Sequence, residues 1–222
     1  MGTISANKLG GLALMVAPLV TLIFYFLQPG GAFIDAADPA NATDSITAMV
    51  SNAGLGKVTS IVIPIGLILF LSGMFVLQEN VRSNGNGGGL SRIAIVFIVA
   101  GITGWVVGAG GSLAIAGSGE EAAKAVTLFE SLYSLTVGIG AVAGTLWGIG
   151  ILALALAIST REDSHKIAAL VAAVAAAVAI VVTIIGGLDS TTLETMTLIS
   201  GITYLVHMVW FFMLGLNLNK VE

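Results

Sequence analysis

The stretch "IAALVAAVAAAVAIVVTIIGGL", Ile167 to Leu188, carries one polar side chain, Thr183. At 1.5 Å per residue a helix of this length reaches about 30 Å, the thickness of a bilayer's hydrocarbon core. A helix that is apolar all round has no face for water, so it lies in a large core or in lipid. The chain is 222 residues long, 57% hydrophobic and only 9% charged. Soluble domains carry about 25% charged residues. The lipid reading therefore applies, and the expected fold is all-α: a polytopic membrane protein built as a compact helix bundle.

Five further apolar runs flank this one, so six spans are expected, over about 9–27, 58–77, 93–115, 137–158, 167–188 and 193–216. Together they read as one transmembrane domain covering 1–222. The first run is longer than the 7–15 residues of a signal peptide's apolar region, and it is kept as a span.

Orientation follows from Lys and Arg. With the N-terminus inside, Lys8, Arg82, Arg92, Arg161, Lys166 and Lys220 lie inside, and only Lys57 and Lys124 lie outside. The reading is N-in and C-in. Asp35, Asp38, Asp44, Glu120, Glu121 and Asp189 then form an acidic outer face, read as solvated loop surface. The longest outer loop holds "NATDSITAMVS", where Asp44 or Ser45 is expected to cap a short helix over 46–50. Asn41 to Thr43 also matches a glycosylation sequon. The inner loop "RSNGNGGGLSR" reads as a Gly/Asn linker, because no P-loop lysine follows its glycines.

The region before the fourth span is amphipathic, and it is expected to extend that helix outward over 119–134, with Ser118 as its N-cap. Glu120 and Lys124 are an i,i+4 pair. Counting back from Arg161 puts Glu130 roughly 12 Å outside the hydrocarbon boundary, as an interfacial carboxylate. Placing it within the membrane would need strong tilt or a break at 138–140. Gly140, Gly144 and Gly148 recur every four residues on the fourth span, as do Gly104 and Gly108 on the third. Such spacing lets helix backbones approach closely. The third, fourth and fifth spans are expected near the bundle centre, with these contacts within one chain. Pro18 and Pro64 lie inside the first two spans and read as structural kinks. The later spans have no proline, so a two-fold internal repeat is not supported.

The last span carries the chain's one polar stripe at membrane depth. Thr191 is expected to cap it, with Glu194 completing a capping box. Helical spacing then sets Thr197, Ser200, Thr203, Tyr204 and His207 along one side, with Trp210 and Phe211 continuing it inward. His207 falls near the midplane. Ionisable groups there usually face the bundle interior or a cavity. Two readings of it stand. In one, a neutral His207 donates an N–H to a neighbouring helix and fixes packing. In the other, it lines a polar path and handles protons or substrate.

Several classes are excluded on residue types. The chain has no cysteine, and no HExxH, GxSxG or paired aspartates. No lysine falls within an apolar run, so a Schiff-base pigment has no attachment point. No metal and no cofactor are expected. No basic cluster suits nucleic acid. The expected partners are the lipid bilayer and other copies or other membrane subunits. The first expectation is a non-enzymatic multi-pass protein of a prokaryotic cell membrane, a structural or accessory subunit. The alternative is a small channel or secondary transporter with its path along the sixth helix.

Overall fold

The computed structural model describes residues 5–83, 87–161 and 165–220. Among these the fold is all-α. Seven helices follow one another: α1 (Ala6–Phe26), α2 (Ala42–Ser51), α3 (Ala53–Ser83), α4 (Gly88–Gly117), α5 (Ala122–Ser159), α6 (Lys166–Leu188) and α7 (Leu193–Leu218). All except α2 are long and apolar enough to cross a membrane. The chain is a multi-pass membrane protein. The middle of the Gly/Asn linker, 84–86, and residues 162–164 lie outside the described residues.

The spans form a closed ring in chain order. Each packs on its two sequence neighbours, and α7 returns to α1. Short connections between antiparallel neighbours favour this arrangement. The contact across the ring, α3 with α7, is slight. No span is wrapped by the others, so the expectation of a centre made by the third to fifth spans is only partly met. α5 is the most buried span, while α4 and α6 present long faces to lipid, with Val96, Val107, Val174 and Val181 more than half exposed.

The end bearing α2 is the outer end in the sense of the charge distribution, and Lys8, Arg82, Arg92, Arg161, Lys166 and Lys220 sit at the opposite end. The inner half of the ring is filled. Leu14, Met74, Ile98, Ile102, Ile151 and Leu154 are at most 2% exposed and belong to one continuous core. Arg161 closes this end. It is buried, and its guanidinium donates to the carbonyl oxygens of Asn80 (3.5 Å) and Val81 (3.4 Å). Those carbonyls belong to the last turns of α3, where partial negative charge accumulates. The linker's Gly87 has φ +94° and stands against the Ala157 carbonyl of α5, so a side chain is excluded twice over.

At the outer end the caps differ from the sequence expectation. α5 runs unbroken from Ala122, with no interruption at 138–140, and its N-cap is Glu121 rather than Ser118. Ser118 instead closes α4, and its hydroxyl accepts from Glu120 N. Glu120 and Lys124 pair at 2.7 Å. α2 is a full turn longer than expected because Asn41, not Asp44 or Ser45, is its cap. Asn41 Oδ1 accepts from Asp44 N, and Asn41 Nδ2 donates to Asp44 Oδ2 at 2.6 Å. α2 packs on the α5 extension through Ile46, Met49, Ala125 and Tyr133. The Tyr133 hydroxyl lies 3.0 Å from Pro39 O and 2.9 Å from Ser45 Oγ, which ties the outer loop down.

The start of α7 also differs. A 3-10 turn, Ser190–Thr192, precedes it, and Thr192 holds the cap position without capping α7, its hydroxyl donating instead to Asp189 O at 2.9 Å. Asp189 supplants the expected Thr191–Glu194 box. Its carboxylate accepts from both the hydroxyl (2.7 Å) and the amide (3.0 Å) of Thr191. These bonds favour the charged form and hold the Asp189 carboxyl below its usual range. The turn is therefore supported at neutral pH, and that support is lost only as acid protonates the carboxylate.

The candidate site: a vestibule in the outer half of the ring

The filled inner half and the unfilled outer half of the ring differ in side-chain size. Outward of mid-depth, α5 contributes Gly140 to the lining and α7 contributes Gly201, each with open space where a side chain would stand. Side chains this small leave the axis open. The result is a cavity of about 440 Å³. All six spans line it: Thr21 from α1, Ser60 from α3, Ser112 from α4, Gly140 from α5, Thr183 from α6 and Ser200 from α7. Its outer rim includes Gln28, Pro39 and Leu193, and its floor lies at Trp147 and His207. No Asp, Glu, Lys or Arg is among the lining residues.

The four stripe residues of the sixth span, Ser200, Thr203, Tyr204 and His207, all line this cavity. They do not share one environment. Ser200 and Tyr204 are half-buried on the wall. Thr203 is buried, and its hydroxyl donates to Ser200 O at 2.8 Å, so it serves its own helix. His207 is 1% exposed, with Nε2 3.2 Å from the Ala172 carbonyl of α6. A carbonyl only accepts, so Nε2–H donates; in the neutral ring Nδ1 is then left as an acceptor. The imidazole thus bridges α6 and α7 at the cavity floor. His207→Phe keeps the ring and removes the N–H. The expected loss is about 1 kcal/mol, the usual net worth of a hydrogen bond. Thermal unfolding in detergent checks it, and a loss several times larger would show that the ring does more than join two helices.

Below His207 the axis is plugged by aromatic rings. Phe211 lies 4.7 Å from Phe70, 6.0 Å from Trp147, 5.4 Å from Trp210 and 6.3 Å from His207, between ring centroids. Trp105 adds to the cluster, 5.3 Å from Trp147. Separations and tilts of this kind are favourable for aromatic pairs. The stripe's expected continuation through Trp210 and Phe211 is packed into this ring cluster.

Glu130 is exposed on the outer extension of α5 and does not line the cavity. The glycines divide by role. A Cβ at Gly104 would stand 2.8 Å from Ala143 Cβ, one at Gly144 2.8 Å from Thr183 Cγ2, and one at Gly148 2.7 Å from Ile180 Cγ1. These are contacts within the chain. Gly108 meets only ordinary van der Waals distance, and Gly140 has nothing within 4 Å because it faces the cavity.

Sequence reading missed Thr21, Ser60, Ser112, Trp105 and Trp147 as wall residues. The available signal was faint: one polar or aromatic residue in an otherwise apolar run. Thr21 Oγ1 and Trp147 Nε1 are also buried with no hydrogen-bond partner among the described residues, an unusual state for polar atoms. No protein-family model, curated protein or solved structure matches the chain, so what it does is to be read from this vestibule.

Proposed function

We propose that the protein is a small secondary carrier, held here with its binding vestibule open to the outer side and its inner side sealed. One observation carries the reading: a cavity lined by all six spans, floored at mid-depth by His207 and closed below by the aromatic plug. A site near the midplane between rigid helices, open to one side at a time, is the geometry of alternating access. A subunit whose only work is packing would fill its ring to the density of other protein interiors. Here the inner half holds a continuous buried core, and the outer half holds the cavity.

The absence of cysteine from the chain makes the test clean. Ser200→Cys should react with a small membrane-impermeant thiol reagent quickly from the outer side and more slowly from the inner side, as the protein exchanges between states. Ser91→Cys, fully buried in the inner core, should stay silent from the outer side. Outer labelling with no inner labelling over hours would leave a static vestibule and overturn the carrier. No labelling of Ser200→Cys from either side would remove the vestibule itself.

A further inference from the structure

The lining of the vestibule also specifies what it would load. We infer that the ligand is an uncharged, mainly apolar organic molecule with a flat ring system and a hydroxyl or carbonyl at one edge. The inference rests on the vestibule being the carrier's loading site.

Three observations converge on that chemistry. First, no charged side chain lines the cavity. A bare ion moved from water into such a place costs far more than a neutral polar group does, and no opposite charge is there to offset it. Inorganic ions, amino acids and phosphate esters are therefore poor fits. Second, the wall is rich in rings: Tyr25, Phe26, Trp105, Trp147 and Tyr204. Flat apolar surfaces stack against such rings with large area burial. Third, the polar groups are few and face the cavity. Thr21 Oγ1 and Trp147 Nε1 belong to lining residues and are buried with no hydrogen-bond partner among the described residues, where such atoms normally have one. The Ser60 and Ser112 hydroxyls line the cavity from the adjacent helices α3 and α4, and a ligand oxygen seated there would bond to them. The volume of about 440 Å³ lies within the range of drug-sized binding sites, about 300–1,000 Å³, which are mostly apolar with a few placed polar groups.

The test uses the full chain in lipid nanodiscs and reads quenching of tryptophan fluorescence, because Trp105 and Trp147 stand on the wall. The probes are 1-pyrenemethanol, unsubstituted pyrene, pyrene-1-sulfonate and a pyrenemethyl trimethylammonium salt. The expected result is saturable quenching by 1-pyrenemethanol and at least roughly tenfold weaker binding of both charged probes. Replacing both hydroxyls (Ser60→Ala with Ser112→Ala) should weaken 1-pyrenemethanol about tenfold, the worth of about one hydrogen bond, and leave pyrene unchanged. Gly140→Leu, which fills open space, should weaken 1-pyrenemethanol and pyrene together. Equal binding of the charged probes would overturn the inference. So would quenching that never saturates and is unchanged in Gly140→Leu, the mark of simple partition into lipid. The carrier reading fails separately: saturable 1-pyrenemethanol binding in a protein whose Ser200→Cys never labels from the inner side keeps the ligand class and removes transport.

Discussion

Alanine at Gly101 or at Gly150 is expected to cost about 3 kcal/mol or more, while alanine at Gly140 is tolerated. The difference lies in what the added methyl group would meet. At Gly101 it would stand 2.8 Å from both Ala143 O and Trp147 N of α5. At Gly150 it would stand 2.7 Å from Ile98 Cγ1, 2.8 Å from Ile98 N and 2.9 Å from Ala94 O of α4. These neighbours are mostly backbone, and backbone cannot rotate aside as a side-chain tip can. The only relief is to part α4 from α5, the most extensive helix pair in the ring. Overpacking of a well-packed core typically costs 1–3 kcal/mol, occasionally more, and without a hydrophobic drive between helices in lipid, close packing carries much of their association. At Gly140 the same methyl has nothing within 4 Å, so its effect should stay within about 0.5 kcal/mol, as for changes remote from packing. Apparent unfolding temperature and the yield of monodisperse protein in detergent report on both. Equal tolerance of Gly101→Ala and Gly140→Ala would show that α4 and α5 do not approach this closely.

These positions also mark where sequence stops being informative. The repeats 140/144/148 and 104/108 are visible as spacing, and they do fall on α4 and α5. Spacing cannot say which member of a repeat faces a neighbouring backbone and which faces empty space. Gly101 and Gly150, which stand against the backbone of the facing helix, belong to neither repeat as read. The spans themselves were legible because lipid demands long apolar runs, and every expected span lies on a helix. Their ends were set too short. α3 continues to Ser83 and α4 begins at Gly88, since hydropathy registers only the hydrocarbon-embedded part of a helix. Caps were misplaced where two candidates competed. Asn41 outbids Asp44 because Asp44, three residues on, can bond back to it. Asp189 outbids Thr191 because its carboxylate takes both of that residue's donors. For the site, one wall was legible. The stripe on α7 is a local periodicity, so Ser200, Thr203, Tyr204 and His207 could be read together. Ser60, Ser112 and Trp147 reach the same cavity from separate helices, and no local pattern links them before the ring closes.

Phe211→Ala is the second change with a large expected effect, because that ring has two jobs. It is 1% exposed and packed among Phe70, Trp147, Trp210 and His207. Truncating a buried Phe to Ala usually costs about 3–5 kcal/mol, from lost burial and the cavity left behind. The void would open at the floor of the vestibule, between it and the filled inner half. Labelling of Ser200→Cys from the inner side should then rise at least roughly tenfold over the Phe211 protein, because the barrier below His207 is thinned. Phe211→Leu separates the two jobs. It keeps most of the bulk, so it should remain folded with a smaller loss, about 1–2 kcal/mol by the same cavity reasoning, and with an intermediate labelling rate. A graded series, Phe then Leu then Ala, in which inner access rises as ring volume falls, would identify the plug as the inner barrier. If stability falls along that series while inner labelling does not change, the barrier lies deeper, in the core of Met74, Ile98, Ile102, Ile151 and Leu154. The aromatic cluster would then be packing alone, and the carrier would have to open by parting the inner helix ends that Arg161 holds to α3.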